Sequence, residues 1–209
     1  MQTKVVLFDL DGTLMDSLTL IKQTYERVFS ELNIPWGNAD VIRWIGLPLR
    51  DIARHFAKDK EEEFLYRYQE YYFKEHDNLI SLFPGTAEML KHIHKHGIRT
   101  GIVTSKGKMG TELALKKTKI EKYLEVVITA QDVTRPKPQP DPIREALRRL
   151  EGLPSETIYI GDSYFDIIAG QRAGTKTLGV TWGITGEEEM RKMALDGILR
   201  NWEELDYFL

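Results

Sequence analysis

The chain has 209 residues, enough for one sizeable core together with a small accessory domain. A formal net charge of -3 supplies no general field for nucleic acid or an acidic membrane surface, which points to a small molecule as partner. The absence of cysteine excludes disulfides, thiolate metal sites and cysteine nucleophiles, and suits a reducing cytoplasm.

An apolar run from Val5 leads into two acids, Asp9 and Asp11, followed at once by Gly12 and Thr13. The run predicts a buried strand, and Gly12 a sharp way out of it. Carboxylates two residues apart on extended chain point the same way, so Asp9 and Asp11 are expected to share one acidic pocket beyond the strand's C-terminal end. The opening apolar run is too short for a signal peptide, and no window of the sequence is apolar enough to span a bilayer.

Asp16 or Ser17 is expected to cap a helix whose apolar stripe is Leu18, Ile21, Tyr25, Val28, Phe29 and Leu32. After the break at Pro35 and Gly37 come short helical stretches over 39–45 and 49–57, separated by the turn Gly46-Leu47-Pro48. A charged approach, 59–63, leads into a long helix with Phe64, Leu65, Tyr68, Tyr71 and Tyr72 on one stripe. After the opening strand no strand pattern occurs before Ser81, so 16–82 is expected to be an inserted α-helical cap domain.

From Phe83-Pro84-Gly85 onward the pattern alternates. Helices are expected at 86–96, 110–118, 141–150 and 164–173, and strands at 98–104, 126–130, 157–161 and 176–181. The tail, 187–209, reads as two short helices about a weak strand at 197–199. Repeated βα units with nearly all-apolar strands imply a parallel sheet covered on both faces. The expected fold class is therefore α/β: a Rossmann-like doubly wound parallel sheet, residues 1–15 and 83–209, carrying the helical cap.

Sites in open parallel sheets lie beyond the carboxyl ends of the strands. The polar residues expected there are Asp9 and Asp11, Thr104 and Ser105, Lys137 in a proline-flanked loop, and Asp162 with Asp166. Several carboxylates in one cleft require a cation, and hard oxygen donors without cysteine or clustered histidine favour Mg2+. A phosphoryl group placed there would meet the Lys137 ammonium, the Thr104 hydroxyl and loop amides. Asp9 is the candidate nucleophile, forming an aspartyl-phosphate; Asp11 is the candidate acid and base. Thr13, Ser105 and Lys106 are candidates for phosphate binding. His92, His94 and His96 lie among lysines and read as a solvated face rather than a metal site.

The stretches DLDGT (9–13), VTS (103–105), RPKP (135–138) and GDSYFD (161–166), in that order, resemble the haloacid dehalogenase superfamily of phosphohydrolases. The resemblance implies Mg2+ held by Asp9, the Asp11 backbone carbonyl and Asp162, with Asp166 supporting the ion or Lys137. It also implies phosphate chemistry rather than carbon-halogen cleavage, since the dehalogenating branch lacks the acid that stands here as Asp11. KYLEVVITAQDVTRPKPQPDP and the stretch ending AGQRAGTKTLGV are similar to both the bacterial pyrophosphatases and the phosphoglycolate phosphatases; DIIAGQRAGTKTLGVTW resembles the pyrophosphatases more, so pyrophosphate is expected first and phosphoglycolate second. A phosphosugar mutase and a non-enzymatic phosphoacceptor module are the remaining alternatives. Substrate choice is expected in the cap, where Arg43, Trp44 and Arg50 flank the Gly-Leu-Pro turn. Arg50 would bind a second anionic group there, or else pair at the surface with Asp51 or Glu62.

Overall fold

The computed structural model describes residues 2–209; Met1, with which the expected core begins, lies outside them. In chain order the elements are β1 (Val5–Phe8), β2 (Met15–Asp16), α1 (Leu18–Glu31), α2 (Leu49–Ala57), α3 (Glu61–Leu79), β3 (Ser81–Leu82) and α4 (Thr86–Lys95). They continue with β4 (Arg99–Val103), α5 (Lys108–Thr118), β5 (Val126–Ile128), α6 (Asp141–Leu150), β6 (Thr157–Gly161) and α7 (Tyr164–Ala173). Last come β7 (Lys176–Val180), α8 (Glu187–Met190) and β8 (Gly197–Leu199).

Six strands form one parallel sheet in the order β5-β4-β1-β6-β7-β8. The chain fills one side of β1 and then crosses to the other, so β1 sits at the point where strand order reverses. Phe8 lies level with Ile102 on β4 and with Ile160 on β6. That register brings the residues just past three strand ends to one place. Alternate β1 residues face opposite layers: Val6 and Phe8 join the cluster that includes Leu90 and Ile93 of α4, while Val5 and Leu7 pack with Ile143 and Leu147 of α6. Burial on both faces explains why β1 and β6 read as unbroken apolar runs.

The cluster holding Val6 and Phe8 continues into α1, α2 and α3 through Tyr25, Phe29, Ile52 and Phe64. Phe29 and Phe64 meet edge to face at 5.8 Å, and both are buried. Truncating either to alanine would cost about 3–5 kcal/mol. The expected helical stretch at 39–45 is a 3-10 turn over Asp40–Trp44.

Two local readings are corrected. β2 and β3 pair antiparallel, Met15 with Leu82 and Asp16 with Ser81, so a short two-stranded ribbon occurs where no strand was expected. Two-residue strands carry no periodicity to read. The ribbon ties together the two ends of the helical segment. Ser17 stands at the N-cap of α1 but makes no capping bond; its hydroxyl is taken by Asp11 instead.

Candidate active site

The turn after Asp9 is closed by bonds from the Met15 amide to the Leu10 carbonyl (2.9 Å) and from the Gly12 amide to the Met15 carbonyl (2.8 Å). Gly12 has φ +84°, and a Cβ there would lie 2.3 Å from Asp162 Oδ2, so only glycine lets this turn close on Asp162. Asp9, Asp162 and Asp166 are all buried, and one carboxylate oxygen from each lies within 4.8 Å of the others. Asp162 accepts from the Thr13 hydroxyl (3.1 Å) and the Ile184 amide (2.7 Å). Asp166 bonds the Ser163 amide with Oδ2 (3.1 Å), forming a capping box that starts α7.

Lys137, 1% exposed, enters this acidic group from the loop after β5. Its ammonium donates to Asp9 Oδ1 (2.7 Å) and Asp166 Oδ1 (2.6 Å). It also lies 3.3 Å from both the Val103 carbonyl and the Tyr159 hydroxyl. Burial alone would lower the Lys137 pKa, but Asp166 and Asp9 reverse this and hold it above the ordinary lysine range. Burial pushes Asp9 up to about 7 against the pull of Lys137, with Asp166 adding to the rise. Asp162 is raised well above the carboxylate range by burial, then by Asp166 and Asp9. One ammonium is too little for three buried carboxylates. The all-oxygen donor set and this uncompensated charge fit a metal ion.

The Asp11 side chain stands apart from those three. It accepts from Lys106 Nζ at 2.9 and 3.0 Å and from Ser17 Oγ at 2.6 Å. Lys106 in turn donates to the Tyr72 hydroxyl of α3 at 2.6 Å, which connects the helical segment to the second acid. The Asp11 carboxylate therefore has its own counter-ion.

Above these groups lies a cavity of about 470 Å³, bordered on one side by Asp9, Asp11, Thr104 and Ser105. The Thr104 hydroxyl accepts from the Lys106 amide (3.1 Å), so neither Thr104 nor Ser105 caps α5, whose N-cap is Gly107. The buried Ser105 hydroxyl has no hydrogen-bond partner among the described residues. Gly46 of the Gly-Leu-Pro turn reaches the same region. Its φ is +108°, and a Cβ would come 2.7 Å from Ser163 Oγ.

Arg50 reaches the cavity rim, but its guanidinium is held by Glu61 (2.9 Å) and Glu62 (2.8 Å). Of the two partners considered from sequence, Glu62 is engaged, while Asp51 lies 3.7 Å from the Arg54 guanidinium. Arg43 is exposed and Trp44 stacks on His55 at 4.2 Å; neither borders the cavity. His92, His94 and His96 lie on an exposed face. Sequence reasoning missed Tyr159, whose hydroxyl donates to Asp166 Oδ1 (2.8 Å), and Trp182, whose indole N–H donates to the Thr13 carbonyl (3.0 Å). A polar-tipped residue inside the aliphatic run IYIG was the available signal for Tyr159.

Residues 6–180 match the family model described as haloacid dehalogenase-like hydrolase. The chain belongs to the haloacid dehalogenase-like hydrolase family. This haloacid dehalogenase-like chain is 33% identical over 205 residues to pyrophosphatase PpaX of Oceanobacillus iheyensis, covering 98% of this chain and 96% of that protein. It is 35% identical over 209 residues to pyrophosphatase PpaX of Anoxybacillus flavithermus, with the same coverage. Among solved structures, a haloacid dehalogenase-like family hydrolase from Streptococcus pneumoniae superposes with a TM-score of 0.83 at 28% identity over 99% of each chain. A predicted phosphoglycolate phosphatase from Haemophilus somnus gives a TM-score of 0.89 at 23% identity, a likeness of fold, over 100% of this chain and 98% of that one. The haloacid dehalogenase-like enzyme is a phosphohydrolase. Among the described residues no helix is long and apolar enough to cross a membrane.

Proposed function

We propose that the enzyme is a Mg2+-dependent phosphatase that works through an aspartyl-phosphate on Asp9, with pyrophosphate as its substrate. The observation that carries the chemistry is the buried group of Asp9, Asp162 and Asp166, with a single ammonium between Asp9 and Asp166, next to the cavity that Asp9 borders. The substrate is carried over from the pyrophosphatase relatives. Residues 1–15 and 83–209 form the catalytic core in this reading, and 16–82 the cap.

Lys137 fixes Asp9 through Oδ1, which leaves Oδ2 to attack phosphorus. Asp11 gives a proton to the departing oxygen and later takes one from the water that cleaves the acyl-phosphate. Lys106 and Ser17 hold Asp11 for both transfers. The free Ser105 hydroxyl, together with Thr104, supplies hydrogen bonds to the phosphoryl oxygens, whereas the Thr13 hydroxyl, expected to join them, is committed to Asp162. Asp9, the Asp11 backbone carbonyl and Asp162 would hold Mg2+, with Asp166 behind; the bound ion offsets negative charge on the acids and the phosphoryl group.

The test is phosphate release from a panel of pyrophosphate, phosphoglycolate, sugar phosphates and nucleotides, with Mg2+ and with excess chelator. Many turnovers on pyrophosphate, stopped by chelator and abolished in Asp9→Asn, are expected. Substantial activity in Asp9→Asn would remove the nucleophile. A single equivalent of phosphoprotein would indicate a phosphoacceptor module, and isomerised sugar phosphate without released phosphate a mutase.

A further inference from the structure

The cavity is larger and less charged than pyrophosphate requires. Its volume of about 470 Å³ lies in the range of sites that enclose a drug-sized ligand. Two tetrahedral phosphates would leave much of that space unfilled. A second phosphate also needs cations, and Lys106 and Arg50 would have to give up carboxylate partners to bind it. Lys106 is bonded to Asp11 and Tyr72, and Arg50 to Glu61 and Glu62. Lys108 is mostly exposed and lies 4.0 Å from Glu112.

Most of the lining from the helical segment is of another character, Gln69 and Arg50 excepted. Ile21 and Tyr25 of α1, Leu47 of the Gly-Leu-Pro turn, and Leu65, Tyr68 and Tyr72 of α3 form it. The Tyr25 and Tyr68 rings are tilted by 49° with centroids 4.9 Å apart, and Tyr68 stacks on Tyr72 at 5.8 Å. Tyrosine rings with aliphatic neighbours suit an uncharged ring better than an anion.

We propose that this site also hydrolyses phosphate monoesters of uncharged, ring-sized apolar alcohols, with the alcohol portion seated against Leu65 and the tyrosine wall. The activity rests on the Asp9 chemistry proposed above. An Asp9 oxygen forms a bond to phosphorus as the phosphorus–oxygen bond to the alcohol breaks, and the Asp11 proton passes to the alcohol oxygen. Water then adds to phosphorus, Asp9 departs, and the water's proton returns to Asp11. The sum is ester plus water giving alcohol plus phosphate.

Benzyl phosphate and methyl phosphate test this, because their alcohols have nearly the same acidity and the ring is the main difference. With Mg2+-loaded full-length enzyme, kcat/KM for benzyl phosphate should exceed that for methyl phosphate by about tenfold or more. Leu65→Asp and Leu65→Trp, which respectively charge and fill the wall, should each reduce that ratio to within about twofold of unity. The ratio is measured in one preparation, so a lower active fraction does not move it. A wild-type ratio below about two, with both esters turned over, would overturn the apolar seat and leave the Asp9 chemistry standing. A high ratio retained in both Leu65 variants would overturn it equally. Loss of the shared chemistry gives a different result: turnover of pyrophosphate and both esters would persist unchanged in Asp9→Asn.

Discussion

Removing the charge at position 9 should make the metal-free protein more stable at alkaline pH even as it ends turnover. Burial, reinforced by Asp166 and Asp11 and opposed by Lys137, raises Asp9 from 3.8 to about 7. The folded protein therefore keeps this proton to higher pH than the unfolded chain does. Stability contributed at this site is intact below pH 3.8, falls as pH rises through the window between 3.8 and about 7, and is gone at pH 8. A difference of about three pH units at 1.36 kcal/mol each sets a ceiling of about 4 kcal/mol. In a protein of this size that corresponds to roughly 8–16 °C in Tm. Asp9→Asn removes the cost, so in chelator at pH 8 it should melt above the wild type. At pH 4.5 the gap should shrink to about 1 kcal/mol. Mg2+ at 100 times its Kd should narrow the gap at pH 8 to about 1–2 kcal/mol, since it stabilises the wild type by about 2.7 kcal/mol and the variant lacks a ligand. Thermal unfolding followed by circular dichroism between pH 4.5 and 8, with chelator and with Mg2+, measures all three. An Asp9→Asn protein that melts below the wild type in chelator at pH 8 would show that Lys137 outweighs burial, and the argument for an uncompensated acid would fail.

Lys137→Met leaves Asp9 and Asp166 facing each other without an ammonium and should cost about 3–5 kcal/mol in urea unfolding at neutral pH; an unchanged midpoint would contradict the buried ion pairs. Tyr72→Phe removes one partner of the lysine that holds Asp11. It should lower kcat/KM more for methyl phosphate, whose alcohol needs a proton to depart, than for nitrophenyl phosphate; equal losses would detach Tyr72 from proton transfer. Arg50→Ala should raise KM for pyrophosphate more than it lowers kcat, as expected if the guanidinium exchanges Glu61 and Glu62 for a remote phosphate. No change in either constant would leave Arg50 as a surface ion pair.

The sequence was most legible where local preference and burial agree. α2, α6, β6 and α7 fall over the residues expected, since each combines an unambiguous period with a turn or proline at its boundary. Asp166 was read as a site residue, and it is also the third residue of a capping box, so its local and long-range roles coincide. The ribbon of β2 and β3 was invisible because its pairing is set by where the helical segment leaves and rejoins the sheet. Ser17 was misread for a related reason. A cap is a local preference, and the Asp11 carboxylate, fixed by the turn before it, offers that hydroxyl a charged acceptor. Alternation suggested that Asp9 and Asp11 would share a pocket, and both border one cavity, but their carboxylates pair with different lysines. The separation depends on Lys106 and Lys137, which are 31 residues apart in the chain and whose partners no periodicity reveals.

Those two lysines give the site its charge logic. Asp9, Asp11, Asp162 and Asp166 bring four carboxylates to one end of the sheet, and Lys137 and Lys106 bring two ammonium groups. With all four ionised, before Asp11 takes up the proton it transfers, two negative charges remain, the deficit that one divalent cation would fill. The lysines are not interchangeable. Lys137 is bonded to Asp9 and Asp166, with every partner inside the sheet core, so it holds the proposed nucleophile still. Lys106 is bonded to Asp11 and to Tyr72 of α3, so the proposed acid is held by a lysine that also grips the helical segment. A shift of α3 would therefore alter the hold on Asp11 and leave Asp9 untouched. Such an arrangement would make proton transfer depend on what occupies the cavity beneath α3, while the attacking oxygen stays ready in its absence.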